Sequence, residues 1–476
     1  MNDVLARLRA MQAGDLPVHG GRTLAYVFDS GLADVDAIGR AAVAAYAGAN
    51  GLDPTAFPSL LAMENELVGF ACDLLDAPAT AVGTVTSGGT ESCLLAVQGA
   101  RDARPDVPDP SIVVPESVHA AFHKGAHYFG LRTVVVPVGE DLRADVRATA
   151  AAIDDSTVLV VGSAPSYAHG VIDPIAPLAE LAADRGIRCH VDACIGGWVL
   201  PYAARAGRDV PPWSFAVPGV TSISVDLHKY GYAPKGTSIL VHRDPGLRRP
   251  QFFAWAGWPG YTLLNTTMQS TKSGGPLAGA WAVAQAIGDD GYAELAGRAF
   301  SAVDEIVAGL TAPLSLVAAP DSTLIAVATD DSCDPFTICD EMADRGWFVQ
   351  PQMAYGGRPA SLHLSVSAST PAAEFLAALS ESVAAAVAAG PVTVDPEVVA
   401  FIEALDPASL TDADFDGLLA ASGLVDPSGD GALALPDRMA PVNAMLDVAS
   451  PGMREALLVA FLDRLSRPVR GGGFPG

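Results

Sequence analysis

The sequence predicts an α/β chain with a large domain on a mostly parallel seven-stranded sheet, a small α+β domain and a helical C-terminal extension. Three observations carry this. Short apolar, β-branched runs recur at 81–86, 112–115, 133–138, 157–162, 187–192, 221–225 and 238–241, with the length and composition of buried strands. Helical patterns separate them, and strands alternating with helices build a parallel sheet covered on both faces. From about residue 290 the order changes to helix, strand, helix, strand, strand, helix, with strands at 314–318, 323–328 and 362–366.

Taken in order, residues 1–55 read as an N-terminal helical arm with a loop, and 56–290 as the large domain. The large domain opens on a helix over 59–75, because Leu60, Met63, Leu67, Phe70 and Leu74 recur at helical spacing. The small domain covers 291–390. An acidic extension, 391–476, reads as short helices, then a basic-ended helix over 451–467, then Gly471-Gly472-Gly473. There is no internal repeat.

The 476 residues are half apolar and only 17% charged, which points to a large core and extensive intersubunit surface. A formal net charge of −26 argues against nucleic acid or an anionic membrane as a general partner. The N-terminus has no secretory pattern, and no apolar stretch of spanning length escapes Gly, Pro or charge. A cytoplasmic location without a membrane anchor is expected. The six cysteines (72, 93, 189, 194, 333 and 339) lack paired or metal-type spacing and read as small buried hydrophobes.

The chemistry gathers around lysine. The chain has four, Lys124, Lys229, Lys235 and Lys272, and two fall within Ser222-Ile-Ser-Val-Asp226-Leu-His228-Lys229-Tyr230-Gly-Tyr232-Ala-Pro-Lys235-Gly. A lysine amine can form a Schiff base or act as a base, which a guanidinium cannot. A strand followed by His-Lys and a Gly- and Pro-rich turn suggests a reactive amine at the mouth of a sheet, and so pyridoxal 5'-phosphate (PLP). Thr86-Ser87-Gly88-Gly89-Thr90-Glu91-Ser92 follows a strand and opens a helix, where free N–H groups and the helix dipole favour a phosphate. Thr90 and Ser92 can add hydroxyl donors, although an ordinary capped turn has the same look. Asp192, in His190-Val-Asp-Ala193-Cys194, ends a strand in apolar company. PLP needs such a carboxylate to keep its pyridine nitrogen protonated, while a turn aspartate is the plainer alternative. Ligands in open α/β sheets sit at the carboxyl ends of strands, where these three segments would converge. His119, His123 and His127 repeat every fourth residue, but nothing completes a metal set and none is expected.

Ser87-Gly-Gly-Thr-Glu-Ser, His119-Ala-Ala-Phe, His190-Val-Asp-Ala-Cys-Ile-Gly-Gly and Ser224-Val-Asp-Leu-His-Lys-Tyr-Gly-Tyr-Ala-Pro-Lys-Gly-Thr-Ser together resemble the sphingosine-1-phosphate lyase family. That family is a branch of the group II PLP-dependent decarboxylases, with the aspartate-aminotransferase fold (fold type I). The resemblance covers about residues 40–385 and leaves the extension unassigned.

The resemblance implies that Lys229 forms the Schiff base, Asp192 pairs with the pyridine nitrogen, beside Ala193, and His119 stacks on the ring. It places Ser87, Gly88, Gly89 and Thr90 on the cofactor phosphate, with His228 as a second phosphate ligand or proton carrier. Ser163 approaches the ring from a further strand end. A homodimer with interfacial sites is implied, with Thr271-Lys272-Ser273 near the partner's phosphate. Lys235 matches a second lysine that meets the substrate phosphate or assists proton transfer; a solvated loop lysine is the plainer alternative. The chain departs from the family at Leu227, where the lyases carry Thr, and at Trp255-Ala-Gly-Trp258-Pro-Gly-Tyr261.

The expected activity is cleavage of a bond at Cα of a small amine or amino-acid substrate. A retro-aldol reaction needs a base near a β-hydroxyl, for which Lys235, Tyr230 and Tyr232 are candidates. Decarboxylation needs a pocket that turns a carboxylate out of plane, with Arg358 as a candidate anchor. An aminotransferase or a non-catalytic scaffold are further readings, the last opposed by Lys229, Asp192 and the Ser87–Thr90 turn.

Overall fold

A computed structural model describes residues 2–421 and 436–466. Seven strands form the large sheet: β1 (Val82–Thr86), β2 (Ser111–Pro115), β3 (Arg132–Val136), β4 (Thr157–Ser163), β5 (Arg188–Asp192), β6 (Ser222–Val225) and β7 (Ser238–His242). Their order is β1-β7-β6-β5-β4-β2-β3. All seven lie at the expected runs. β2 to β6 pair parallel to one another, whereas β7 runs antiparallel to both β6 and β1. β2, β4, β6 and β7 are buried along their whole length, as expected for strands covered on both faces. The edge strand β3 leaves Arg132 and Val135 exposed.

The covering helices follow from apolar spacing and end chemistry. Pro58–Leu74 starts on a proline, which suits the first helical turn, and buries Leu60, Met63, Leu67, Ala71 and Leu74. Val146–Ala152 is capped by Asp145, whose side chain accepts from Arg147 N and Ala148 N. Gly130 closes the helix Ala121–Phe129 in the left-handed conformation. The long segment Gly274–Gly309 is two helices joined at a kink, where Gly288 takes φ +64°.

Contacts divide the chain into two compact units. The first is the chain up to Ala308 with Leu316–Ala326 and Leu364–Ala373; the second is Gly309–Ser315, Val327–His363 and the chain from Glu374 onward. Among the described residues two further sheets complete the strands: a hairpin of β8 (Phe253–Trp255) and β9 (Leu263–Asn265), and a four-stranded sheet of β10 (Leu314–Leu316), β11 (Leu324–Thr329), β12 (Gln350–Gln352) and β13 (Ser361–Ser365), ordered β10-β11-β13-β12. No helix separates β10 from β11, and one helix, Pro335–Asp344, lies between β11 and β12. The expected helix between the first two strands is therefore wrong, and β12 and the hairpin were not expected. Each missed strand is only three residues long, and Gln-Pro-Gln lacks the β-branched signal.

The extension supplies the helices Pro396–Ala404, Asp412–Ala421, Ala440–Val448 and Pro451–Leu465. Ile402, Phe415, Leu418, Leu419, Val442, Met453 and Leu457 form its core. Within the second unit it is tied to the helix Pro335–Asp344. Asp340 accepts from Met439 N and Ala440 N at 2.9 Å each, and Arg438 pairs with Glu341 at 2.6 Å and Asp344 at 3.0 Å. Gly471–473 lie outside the described residues. The helix Ala372–Ala389 is long and apolar enough to cross a bilayer by length and composition. It buries Phe375, Leu379, Val383 and Ala386, one face at helical spacing, as a core helix does.

Candidate active site

Three neighbouring strand ends set the floor of the site. In the sheet register Asp192, the last residue of β5, lies beside Ser163 on β4 and Ser224 on β6. Asp192 is buried, and its Oδ1 accepts from the backbone of Cys194 at 3.1 Å. Ser163 is held by buried Asp173, which accepts from the Ser163 N–H at 2.7 Å and the Ala144 N–H at 2.8 Å. Burial pushes Asp173 up to about 6 against these two donors.

Beyond β6 the chain turns through Asp226-Leu227-His228-Lys229. Lys229 Nζ lies 3.0 Å from Asp226 Oδ2, and His228 Nε2 lies 3.6 Å from the same oxygen. Burial alone would lower the amine's pKa, but Asp226, Cys194 and Asp192 outweigh it and raise it. Asp226 shows the mirror effect: its burial penalty is outweighed by Lys229 and His228, which hold the carboxyl below its ordinary value. Asp226 Oδ1 and Thr237 Oγ1 are buried without a hydrogen-bond partner in the protein. His228 Nδ1 accepts from Thr237 N at 3.2 Å, and burial depresses its pKa.

The Gly88-Gly89 turn closes over this carboxylate. A Cβ at Gly89 would stand 2.6 Å and 2.8 Å from the Asp226 oxygens and 2.8 Å from Cys194 Sγ, so only glycine brings the backbone this close. The helix Gly89–Asp102 starts there, and Glu91 caps it by accepting from Ser87 N at 2.6 Å. The other Glu91 oxygen accepts from Met268 N at 2.8 Å. Thr90 is exposed at the helix start. Ser92 does not serve the turn: its buried hydroxyl lies 2.8 Å from Thr86 Oγ1 and 2.9 Å from Ser238 Oγ, stitching the helix to β1 and β7.

His119 is exposed just before the helix Ala121–Phe129, with its ring edge-on to Tyr167 at 6.4 Å. His123 and His127 lie on the exposed side of that helix, and no metal-type cluster among the described residues includes them. Lys235 Nζ donates to the carbonyls of Tyr26 at 2.7 Å and His228 at 3.3 Å, and lies 5.2 Å from the Phe28 ring centre. The residue as a whole is exposed, yet desolvation of the ammonium and repulsion from Lys229 push it down to about 8. Ala193 is fully buried, and its N–H bonds the Ser224 carbonyl at 3.0 Å.

The two tyrosine candidates for a base are both buried. Tyr230 is buried and donates its hydroxyl to the Val366 carbonyl at 2.7 Å, and burial raises it well above its ordinary pKa. Tyr232, at φ +53°, is also buried and raised. The Tyr230 hydroxyl is thereby committed to the backbone. Ser273 pairs with Asn50 in an antiparallel bridge, next to Lys272, whose Nζ is held by Glu64 at 2.7 Å and the Val85 carbonyl at 3.0 Å. Arg358 belongs to the second unit, in a turn with Gly356 at φ +61° and Gly357 at φ +76°.

Sequence reasoning missed Asp226, Glu91, Asp173 and Tyr167. A carboxylate three residues before the lysine was the available signal for Asp226. The residues fit PLP: a half-buried amine, a buried carboxylate at a strand end, and a glycine-lined helix start beside two partnerless buried oxygens.

The comparisons agree. Residues 26–254 match the pyridoxal-dependent decarboxylase conserved domain, and residues 396–464 match a family of C-terminal HTH-type domains of pyridoxal-dependent enzymes. The chain is 39% identical to the sphingosine-1-phosphate lyase of Arabidopsis thaliana over 68% of its own length and 60% of that protein. It is 37% identical to the lyase of Oryza sativa subsp. japonica, over 77% of this chain and 69% of that one. The solved sphingosine-1-phosphate lyase of Burkholderia pseudomallei superposes with a TM-score of 0.76 at 33% identity, covering 82% of this chain and 91% of that one. The chain belongs to the sphingosine-1-phosphate lyase-like branch of the PLP-dependent decarboxylase family, and PLP is its cofactor.

Proposed function

We propose that the protein is a PLP-dependent carbon–carbon lyase that cleaves a phosphorylated, amine-bearing substrate at the Cα–Cβ bond in a retro-aldol reaction. The observation that carries this reading is Lys235, an amine pushed down to about 8 and hydrogen-bonded to the backbone of the Lys229 turn itself. Bound PLP supplies the electron sink for the pair released when a bond at Cα breaks. Lys229 would hold the cofactor covalently, and Asp192, whose Oδ1 accepts from the Cys194 N–H, would keep a proton on the pyridine nitrogen. Gly88, Gly89 and Thr90 seat the phosphate at a helix start, with His228 beside them. His119 would stack on the ring. Lys235 as an ammonium meets the substrate phosphate.

Amino-acid decarboxylation is the second reading, favoured by the decarboxylase domain match over 26–254. A product assay on PLP-loaded protein separates the two, with Lys229→Ala as the blank. Aldehyde with phosphoethanolamine from a phosphorylated long-chain base supports the lyase. CO2 from an amino acid with no aldehyde overturns it.

A homodimer and a cytoplasmic location belong to the same proposal. The hairpin region exposes Phe253, Trp255, Trp258, Tyr261 and Leu264, each between 45% and 56% accessible, an unusual aromatic surface for a lone chain. The six cysteines are all free, as in a reducing compartment. Light scattering tests the first: a monomer at micromolar concentration refutes it.

A further inference from the structure

We infer that the PLP-free protein carries a binding site for a thiophilic divalent cation of the zinc or cadmium type, formed by Cys93, Cys194 and Asp192. The thiols come from separate elements, one on the helix behind the Gly88-Gly89 turn and the other just past β5. The fold brings them together. One ligand atom from each of the three residues lies within 4.8 Å of the others. All three are buried, with accessibilities of 1% for Cys93, 6% for Cys194 and 8% for Asp192. A tetrahedral zinc has S and O ligands at about 2.0–2.3 Å, so its donors stand roughly 3.3–3.8 Å apart. The triad reaches that spacing by closing about an ångström. Cys194 Sγ also lies 3.4 Å from Ser224 Oγ, which leaves a polar neighbour for a metal-bound water in the fourth position.

The charges balance by proton release. Each cysteine S–H bond breaks, two sulfur–metal bonds form, and two protons leave to solvent; no electron is transferred. Two thiolates and a carboxylate around a dication leave one net negative charge. Lys229, whose ammonium interacts electrostatically with both Cys194 and Asp192, faces it.

Asp192 makes the site conditional. The carboxylate that keeps a proton on the pyridine nitrogen would be bound to a dication, which withdraws its basicity and repels the pyridinium. Cation and PLP therefore exclude each other. The metal occupies the protein before the cofactor arrives or after it is lost.

The probe is Cd2+ alone, added to the full chain stripped of PLP, with the ultraviolet thiolate-to-cadmium band as readout. The stripped wild type is expected to develop the band, and the PLP-loaded protein is not. Cys93→Ser, which leaves the cofactor groups untouched, is expected to keep PLP binding and lose the band, with Cd2+ affinity down at least about tenfold. Zn2+ in excess is expected to compete with Cd2+ and to slow PLP uptake by the wild type only. No band in the stripped wild type, an equal band in the PLP-loaded protein, or a band that survives Cys93→Ser overturns the inference. If Cys93→Ser does not fold, the comparison of stripped and loaded wild type decides alone. None of these readouts depends on which substrate the protein cleaves.

Discussion

Replacing Asp226 with asparagine should make the protein take up PLP faster at neutral pH. The side chain sits 3.0 Å from Lys229 Nζ and is 1% exposed. At an effective dielectric of 20, two unit charges at that distance attract by about 5 kcal/mol. Relaxation and the desolvation of both groups offset much of this. About 1.4–2.8 kcal/mol is a conservative remainder, corresponding to about ten- to a hundredfold in the ratio of neutral to protonated amine. Only the neutral amine attacks an aldehyde, so the second-order rate of Schiff-base formation near pH 7 should rise by the same factor. Asparagine keeps the volume and one acceptor, which isolates the charge. Stopped-flow absorbance of PLP mixed with stripped protein measures the rate directly. Equal rates for Asp226→Asn and wild type from pH 6 to 9, with both folded, would refute the claim that this carboxylate holds Lys229 protonated.

Three other outcomes follow from the same geometry. Gly89→Ala forces a methyl against the Asp226 oxygens at 2.6–2.8 Å; overpacking of about 1–3 kcal/mol should weaken PLP binding about ten- to a hundredfold, read by cofactor titration. Lys235, pushed down to about 8, is charged below that pH and neutral above it. Thus kcat/KM for a phosphorylated substrate should fall through about pH 8 and lose that step in Lys235→Met; a rise towards pH 8 would instead make it a base. Asp173 is raised by burial from 3.8 to about 6, so the fold prefers its protonated form, and the stability this contributes is present below pH 4 and lost between pH 4 and 6. That loss is about 3 kcal/mol, and urea unfolding of Asp173→Asn should show a correspondingly smaller decline from pH 4 to 6 than the wild type.

The large sheet was legible because its strands are buried on both faces, so Ile112–Val114 and Val158–Val161 appear as uninterrupted apolar runs. β8, β9 and β12 were not, since three-residue strands carry no periodicity. Lys229, Asp192 and Gly88-Gly89 stood out through residue scarcity and position at strand ends. Asp226 did not, because a carboxylate after a strand reads as a turn until the sheet shows it facing the lysine. Tyr230 misled for the opposite reason. Closeness in sequence to Lys229 says nothing about where a hydroxyl points, and the Tyr230 hydroxyl is committed to the Val366 carbonyl.

The reversed direction of β7 has a kinetic meaning. Because β6 and β7 are antiparallel neighbours, the segment from Asp226 to Thr237 is the loop of a single hairpin, closed by pairs such as Val225↔Ile239. Closing so short a loop is entropically cheap, whereas aligning β5 with β4 requires a crossover through the helix Ile175–Asp184. The lysine hairpin is thus the most locally encoded part of the site. In pulse-labelling hydrogen exchange during refolding, the amides of Ile223 and Val241, which face each other across the hairpin, should gain protection ahead of those around Asp192. The reactive amine would then be in its turn while the rest of the pocket is still assembling around it.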